Sequence, residues 1–182
     1  IAVDWVRGEW NEVLYSYTKE SGQLTARING GAEVPIRLWG DPNTVLIDRV
    51  EMRNGDTFPF AIDDVVVVVN QPLPDSVPPG RLIFYDRFEA QVVGAAPVSE
   101  NTLVGAIDDD QMEVVTGPYE RGDTVGPAGA FSGENYLAYD KRNEGARESR
   151  FVFEGGGFEL NSVKSFHIRF QAWADSDQFF LN

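Results

Sequence analysis

The chain of 182 residues predicts an all-β fold, an antiparallel sandwich, and three observations carry that expectation. Turn signals recur about every eight to twelve residues, the spacing of short strands in sandwiches. Between the turns lie runs rich in Val, Ile, Phe, Tyr and Thr, side chains that suit a pleated, half-buried surface. No segment sustains an apolar period of 3.6, so helix content is expected to be low. Hydrophobic residues make up 42% of the chain, enough at this length to fill one core.

The elements follow in order. Trp10 to Thr18 reads as a strand with Val13, Tyr15 and Tyr17 on one face. Glu20-Ser21-Gly22 turns the chain into Gln23 to Asn29, where Leu24, Ala26 and Ile28 alternate with polar residues. Asn29-Gly30-Gly31 is a strong turn, because both Asn and Gly tolerate positive φ. Glu33 to Leu38 and Val45 to Met52 are the next strands, parted by Gly40-Asp41-Pro42-Asn43. Asn54-Gly55-Asp56 turns into the Phe58 to Val69 strand. Pro72, Pro74, Pro78 and Pro79 then make Asn70 to Gly80 an extended connector, since proline cannot donate to a ladder. Beyond it come Leu82 to Glu89, Gln111 to Val115, Tyr136 to Tyr139, Arg150 to Phe153, Val163 to Trp173 and Gln178 to Leu181. Residues 117–135 and 141–149, rich in Gly, Pro and charge, read as loops.

Charge narrows the partners. There are 29 acidic residues against 15 basic ones, net −14, a surface that repels phosphate backbones and anionic bilayers and attracts cations. Nucleic acid is excluded on that ground. No window approaches the roughly 18 apolar residues of a membrane helix, so no membrane insertion is expected. With no cysteine, disulfides and thiolate metal sites are absent. Ile1-Ala2-Val3-Asp4-Trp5 has neither an initiator Met nor a basic n-region, and the chain reads as a processed product or an excised segment.

Several short motifs then point to a family. Trp10 to Tyr17 followed by Ser21 to Gly30 resembles the central hairpin of laminin-G-like and concanavalin-A-like lectin domains, which are jelly-roll sandwiches. Phe60-Ala61-Ile62-Asp63-Asp64-Val65 is similar to their closing strand, and Tyr85-Asp86-Arg87-Phe88-Glu89 to their opening one. Ser132-Gly133-Glu134-Asn135-Tyr136-Leu137-Ala138 resembles the segment after the opening strand, and Phe166 to Phe170 the strand before the Trp-led hairpin. The order is shifted: the motifs run as in the family only when 81–182 is read before 1–70. The resemblance therefore implies that 1–70 is the C-terminal part of a jelly roll, 71–80 a Pro-rich linker, and 81–182 the N-terminal part. The two parts would form one shared domain or be exchanged with a neighbouring chain. Either the domain is circularly permuted, or the chain is one period of a tandem array cut in mid-domain; the array is the preferred of the two. Each part alone would expose strand edges and an apolar face, so the parts must pair, and pairing between copies yields head-to-tail polymers when it does not close.

The resemblance also implies a structural calcium ion joining opening and closing strands, with Asp63, Asp64, Asp86 and Glu89 as ligands. The competing reading makes Asp63 a strand cap and Asp64 a solvated side chain. Adjacent residues of a strand point to opposite faces, so Asp63 and Asp64 are expected to diverge. Asp108-Asp109-Asp110-Gln111-Met112-Glu113 is the densest acidic run; it lacks the flanking pattern of a glycosidase strand and reads as a solvated loop or a weak cation site. Arg121-Gly122-Asp123 matches an adhesion tripeptide but reads as a turn. His167, the single histidine, alternates with Phe166 and Ile168 and reads as a strand residue and not a base. Of Trp5, Trp10, Trp39 and Trp173, core packing suits all four; Trp39, beside Gly40-Asp41-Pro42, is the candidate for stacking on a sugar ring.

The expected function is non-catalytic: an extracellular or cell-surface structural or adhesive module whose partners are copies of itself. A carbohydrate-binding module, with a polysaccharide as partner, is the second reading, and a polysaccharide hydrolase or lyase the third.

Overall fold

The computed structural model describes residues 4–38, 40–54, 60–69, 81–95, 98–99, 102–103, 112–121, 124–139, 147–153 and 156–175. Everything below concerns these residues. Expected features at Trp39, 70–80, 108–111 and 178–181 lie outside them.

The chain is all-β, built around one large antiparallel sheet. In chain order its members are β1 (Trp10–Thr18), β2 (Gln23–Ile28), β3 (Val34–Ile36), β6 (Phe60–Val69), β7 (Arg81–Asp86), β10 (Met112–Thr116), β13 (Asn135–Tyr139) and β16 (Ser165–Ala174). They lie side by side as β10-β13-β6-β16-β1-β2-β3, with β7 also paired to β6. Strands from before and after 71–80 therefore interleave: β16 sits between β6 and β1, hydrogen-bonded to both. A second layer holds β4 (Leu46–Ile47) with β15 (Phe158–Glu159), and β5 (Arg49–Asn54) with β14 (Arg147–Val152). Two short pairs complete the strands: β8 (Val98–Ser99) with β9 (Thr102–Leu103), and β11 (Glu120–Arg121) with β12 (Thr124–Val125).

The core lies between the layers. Alternation puts Val13 and Tyr17 of β1, Ile28 of β2, Val65, Val67 and Val69 of β6, and Phe166, Phe170 and Ala172 of β16 on the inner face, all buried. The second layer answers with Phe151, Phe153, Phe158, Leu160 and Val163. Ring pairs cross the interface: Phe84 and Phe151 meet edge-on at 5.6 Å, and Phe158 and Phe166 meet tilted at 5.7 Å.

Local chemistry sets the ends of strands. Asn29 (φ 48) and Gly30 (φ 71) both take positive φ, as the Asn-Gly turn predicts, and Gly31 N–H closes it on the Ile28 carbonyl at 2.8 Å. Asn11 is fully buried, and its amide binds the main chain of the first segment while its Oδ1 also accepts from Asn29 Nδ2 at 2.7 Å. It accepts from Val6 N–H at 2.8 Å and donates to the Val6 and Glu9 carbonyls at 2.9 and 2.7 Å.

Three expectations change. The single strand at Val45 to Met52 is two strands, because the partner switches from β15 to β14 at Asp48, whose carbonyl takes Phe153 N–H at 2.8 Å. Residues 141–149 are not wholly loop: β14 begins at Arg147, where pairing with β5 prevails over a charged sequence. Residues 117–135 contain the antiparallel pair β11 and β12. Among the described residues Leu160–Ser162 form a short 3-10 turn.

Candidate functional site

The second face of the large sheet carries the site. Trp10, Ala61, Tyr136, Ala138 and Trp173 share this outer face and pack with Tyr119 and Ala130 from the 117–134 segment. That segment is tied down by hydrogen bonds: Trp10 Nε1 donates to the Gly129 carbonyl at 3.0 Å, and the Tyr136 hydroxyl to the Gly117 carbonyl at 3.0 Å. Trp10 lies edge-on to Tyr136 at 5.8 Å and to the exposed Phe131 at 6.5 Å.

Where this segment meets β6, the sheet forks. One edge of β6 pairs with β13 over Phe60 to Ile62 and with β7 over Val65 to Val69. Asp63 and Asp64 fall between the two partners. On the opposite edge, the β16 register shifts between Arg169 and Gln171, so β6 carries an extra residue there. Asp64 absorbs the bulge at φ 51. This overturns the expected divergence of Asp63 and Asp64: left-handed backbone breaks the alternation, and both carboxylates turn to Ser132. Ser132 N–H donates to Asp63 Oδ2 at 3.1 Å, and its hydroxyl to Asp64 Oδ1 at 2.9 Å.

The four expected metal ligands all lie at this fork, each engaged with N–H or O–H donors. Asp63, with no exposed surface, also takes the Asp64 N–H at 2.7 Å. Arg87 Nε donates to Asp64 Oδ1 at 2.9 Å while its Nη2 donates to Ser132 Oγ at 2.8 Å. Asp86 Oδ1 accepts Phe88 N–H at 2.6 Å and Oδ2 accepts the Gln91 amide at 3.1 Å. Glu89 Oε1 receives Glu134 N–H at 2.9 Å and Asn135 N–H at 3.1 Å. Asn135 Nδ2 reaches back to the Phe88 carbonyl at 3.3 Å. Phe88, at φ 63, is a bulky residue in the left-handed region, held there by the Asp86 cap and by a fully buried ring.

Neither description of the aspartates as a strand cap and a solvated group fits this arrangement, since Asp63 is buried in mid-strand and the Asp64 side chain is 18% exposed. Nor does the donor set, as placed, fit calcium. A calcium ion takes six to eight oxygens on one centre, whereas these oxygens face N–H groups and a guanidinium. Among the described residues no three His, Cys, Asp or Glu side chains are grouped to hold a metal.

The electrostatics follow from burial. Burial pushes the Asp63 carboxyl up to about 7, against the downward pull of the Ser132 and Asp64 N–H groups. The Asp64 charge raises the Arg87 guanidinium further above its ordinary value. Burial lifts the Tyr85 phenol.

Beyond the 117–134 segment the outer face carries a row across five strands. The register runs Arg27–Leu14–Arg169–Val66–Tyr85, with Leu14 and Val66 buried and the other three half-buried. Arg27 Nε is buried with no hydrogen-bond partner. The next row holds Thr25, Ser16 and His167, with His167 Nδ1 3.1 Å from Ser16 Oγ. His167 is thus a half-buried strand residue. Trp173 is buried, Trp10 half-buried, and Trp5 packs against the core.

Sequence reasoning found the carboxylates of the fork and missed the roles of Arg87, Ser132 and Asn135. The signal was present in the two motifs that carry them, Asp86-Arg87-Phe88-Glu89 and Ser132-Gly133-Glu134-Asn135, whose polar groups answer one another across the fork. Comparison with family models, curated proteins and solved structures finds no match.

Proposed function

We propose that the chain is a non-catalytic module of an extracellular surface protein, a jelly-roll-type sandwich whose two parts, in permuted or mid-cut order, complete a shared core. Its work is structural or adhesive, with copies of itself as partners. The observation that carries this reading is the interleaving of β6, β16 and β1, which makes each side of 71–80 depend on the other for its hydrogen bonds and its buried face. The fork supports it as well. Its polar groups are consumed in holding segments 60–69, 81–91 and 131–139 together, a use that suits a load-transmitting joint. In a tandem array the same pairing made between copies propagates head to tail.

Light scattering and electron microscopy of the concentrated chain test the reading. Concentration-dependent growth or filaments are expected; a strict monomer at high concentration, with and without calcium, counts against assembly.

A carbohydrate-binding module is the second reading, favoured by the outer-face rows. Arg27, Arg169, His167, Ser16 and Tyr85 present hydrogen-bonding and aromatic groups on one face of the sheet, the chemistry that recognises sugar hydroxyls and carboxylates. A glycan array and a tryptophan-fluorescence titration, with Trp39→Ala as control, decide it: silence toward every polysaccharide removes it.

A further inference from the structure

The geometry points to Arg87 as a built-in cation that holds the strand fork closed, so that the joint between β6, β7 and β13 is independent of calcium. This rests on the fork and not on the assembly proposed above. Four carboxylates, Asp63, Asp64, Asp86 and Glu89, line the fork without any three of them being grouped on one centre, in a chain already at net −14. Such a junction requires positive charge or donors, and calcium is one way to supply them. Here the chain supplies its own. Backbone N–H groups of Asp64 and Ser132 answer Asp63, those of Glu134 and Asn135 answer Glu89, and that of Phe88 answers Asp86. Asp64 meets a full charge, which the Arg87 guanidinium supplies.

The planar donor set of arginine suits this place. Nε meets Asp64 while Nη2 meets the Ser132 hydroxyl, which in turn donates to the same Asp64 oxygen. The three groups form a closed ring linking the bulge of β6, the end of β7 and the segment entering β13. Lysine, a single point of charge, cannot span both contacts. A divalent ion seated between Asp63 and Asp64 would displace Ser132 and lie against the guanidinium, charge against charge. The arginine and calcium are therefore alternatives for one role.

Thermal melts and calorimetric titrations with calcium chloride, on the full chain, test this. The wild type is expected to melt at the same temperature in calcium and in EGTA and to give no binding heat. Arg87→Met is expected to melt several degrees lower in EGTA and to recover part of that loss in calcium, because Asp64 is released. Arg87→Lys is expected to lie between the two. Stoichiometric calcium binding by the wild type that Asp64→Asn abolishes overturns the proposal. So does an Arg87→Met protein that melts with the wild type in EGTA. The wild-type titration decides the question even where the methionine variant does not fold.

Discussion

Asp63 and Ser132 lie 69 positions apart, yet the Ser132 N–H reaches Asp63 Oδ2 at 3.1 Å inside the protein. Their contact closes the gap left where β6 changes partner from β13 to β7, so a buried acid replaces a missing ladder bond. The carboxyl that does so sits at about 7, up from an ordinary value of 3.8, mainly because it is buried.

The pH dependence follows with a definite sign. A carboxyl raised in the fold binds its proton more tightly there than in the unfolded chain, so its contribution is fully present below the unfolded value near 4. It is lost as pH rises through about 7. The local slope cannot exceed about 1.4 kcal/mol per pH unit for one proton. Urea melts between pH 4.5 and 8 should therefore show wild type losing stability relative to Asp63→Asn as pH rises. A difference independent of pH would mean that Asp63 does not titrate in this window.

Gly133 is fixed by the fork. It takes φ 70, and a Cβ at that position would run into the Glu89 carboxylate. Gly133→Ala should destabilise by about 1–3 kcal/mol through left-handed strain and loss of the Glu89 contacts. Glu89→Ala removes the same contacts, so the double variant should cost less than the sum of the singles in a double-mutant cycle. Strict additivity would separate the two residues.

Phe151 belongs to the second layer and has no exposed surface; it meets Phe84 and Phe88, which like it lie after residue 80. Its strand pairs with β5, which lies before residue 70. Phe151→Ala should cost about 3–5 kcal/mol by denaturant unfolding, as a cavity between the layers would. The unfolding should remain one transition. Two separated transitions would show that the layers do not share a core.

Asn11 binds the first segment through Val6 and Glu9. Asn11→Ala removes three hydrogen bonds made from a buried position and should lower stability by about 1–3 kcal/mol, while amide exchange speeds up at residues 6–9. Unchanged exchange there would assign the anchoring to other contacts.

Much of this fold was legible because it rests on alternation. Val13, Tyr15 and Tyr17 share a face, Leu24, Ala26 and Ile28 point with them, and Asn29-Gly30 turns as its residues require. The Asp63–Glu89 neighbourhood was legible through motifs. What escaped depends on distant partners. Nothing local in Arg147-Glu148-Ser149-Arg150 announces a strand, since its pairing with Asn54 to Glu51 decides it. Nothing local in Asp63-Asp64 announces the bulge, which arises where one edge must serve β13 and β7 in succession.

Severing the chain within 71–80 and studying residues 1–70 and 81–182 apart and mixed tests the shared sandwich most directly. Each fragment alone should lack cooperative unfolding and dispersed amide spectra, and the mixture should recover both, because β16 needs β1 and β6 as neighbours. A fragment that folds cooperatively by itself would contradict the account.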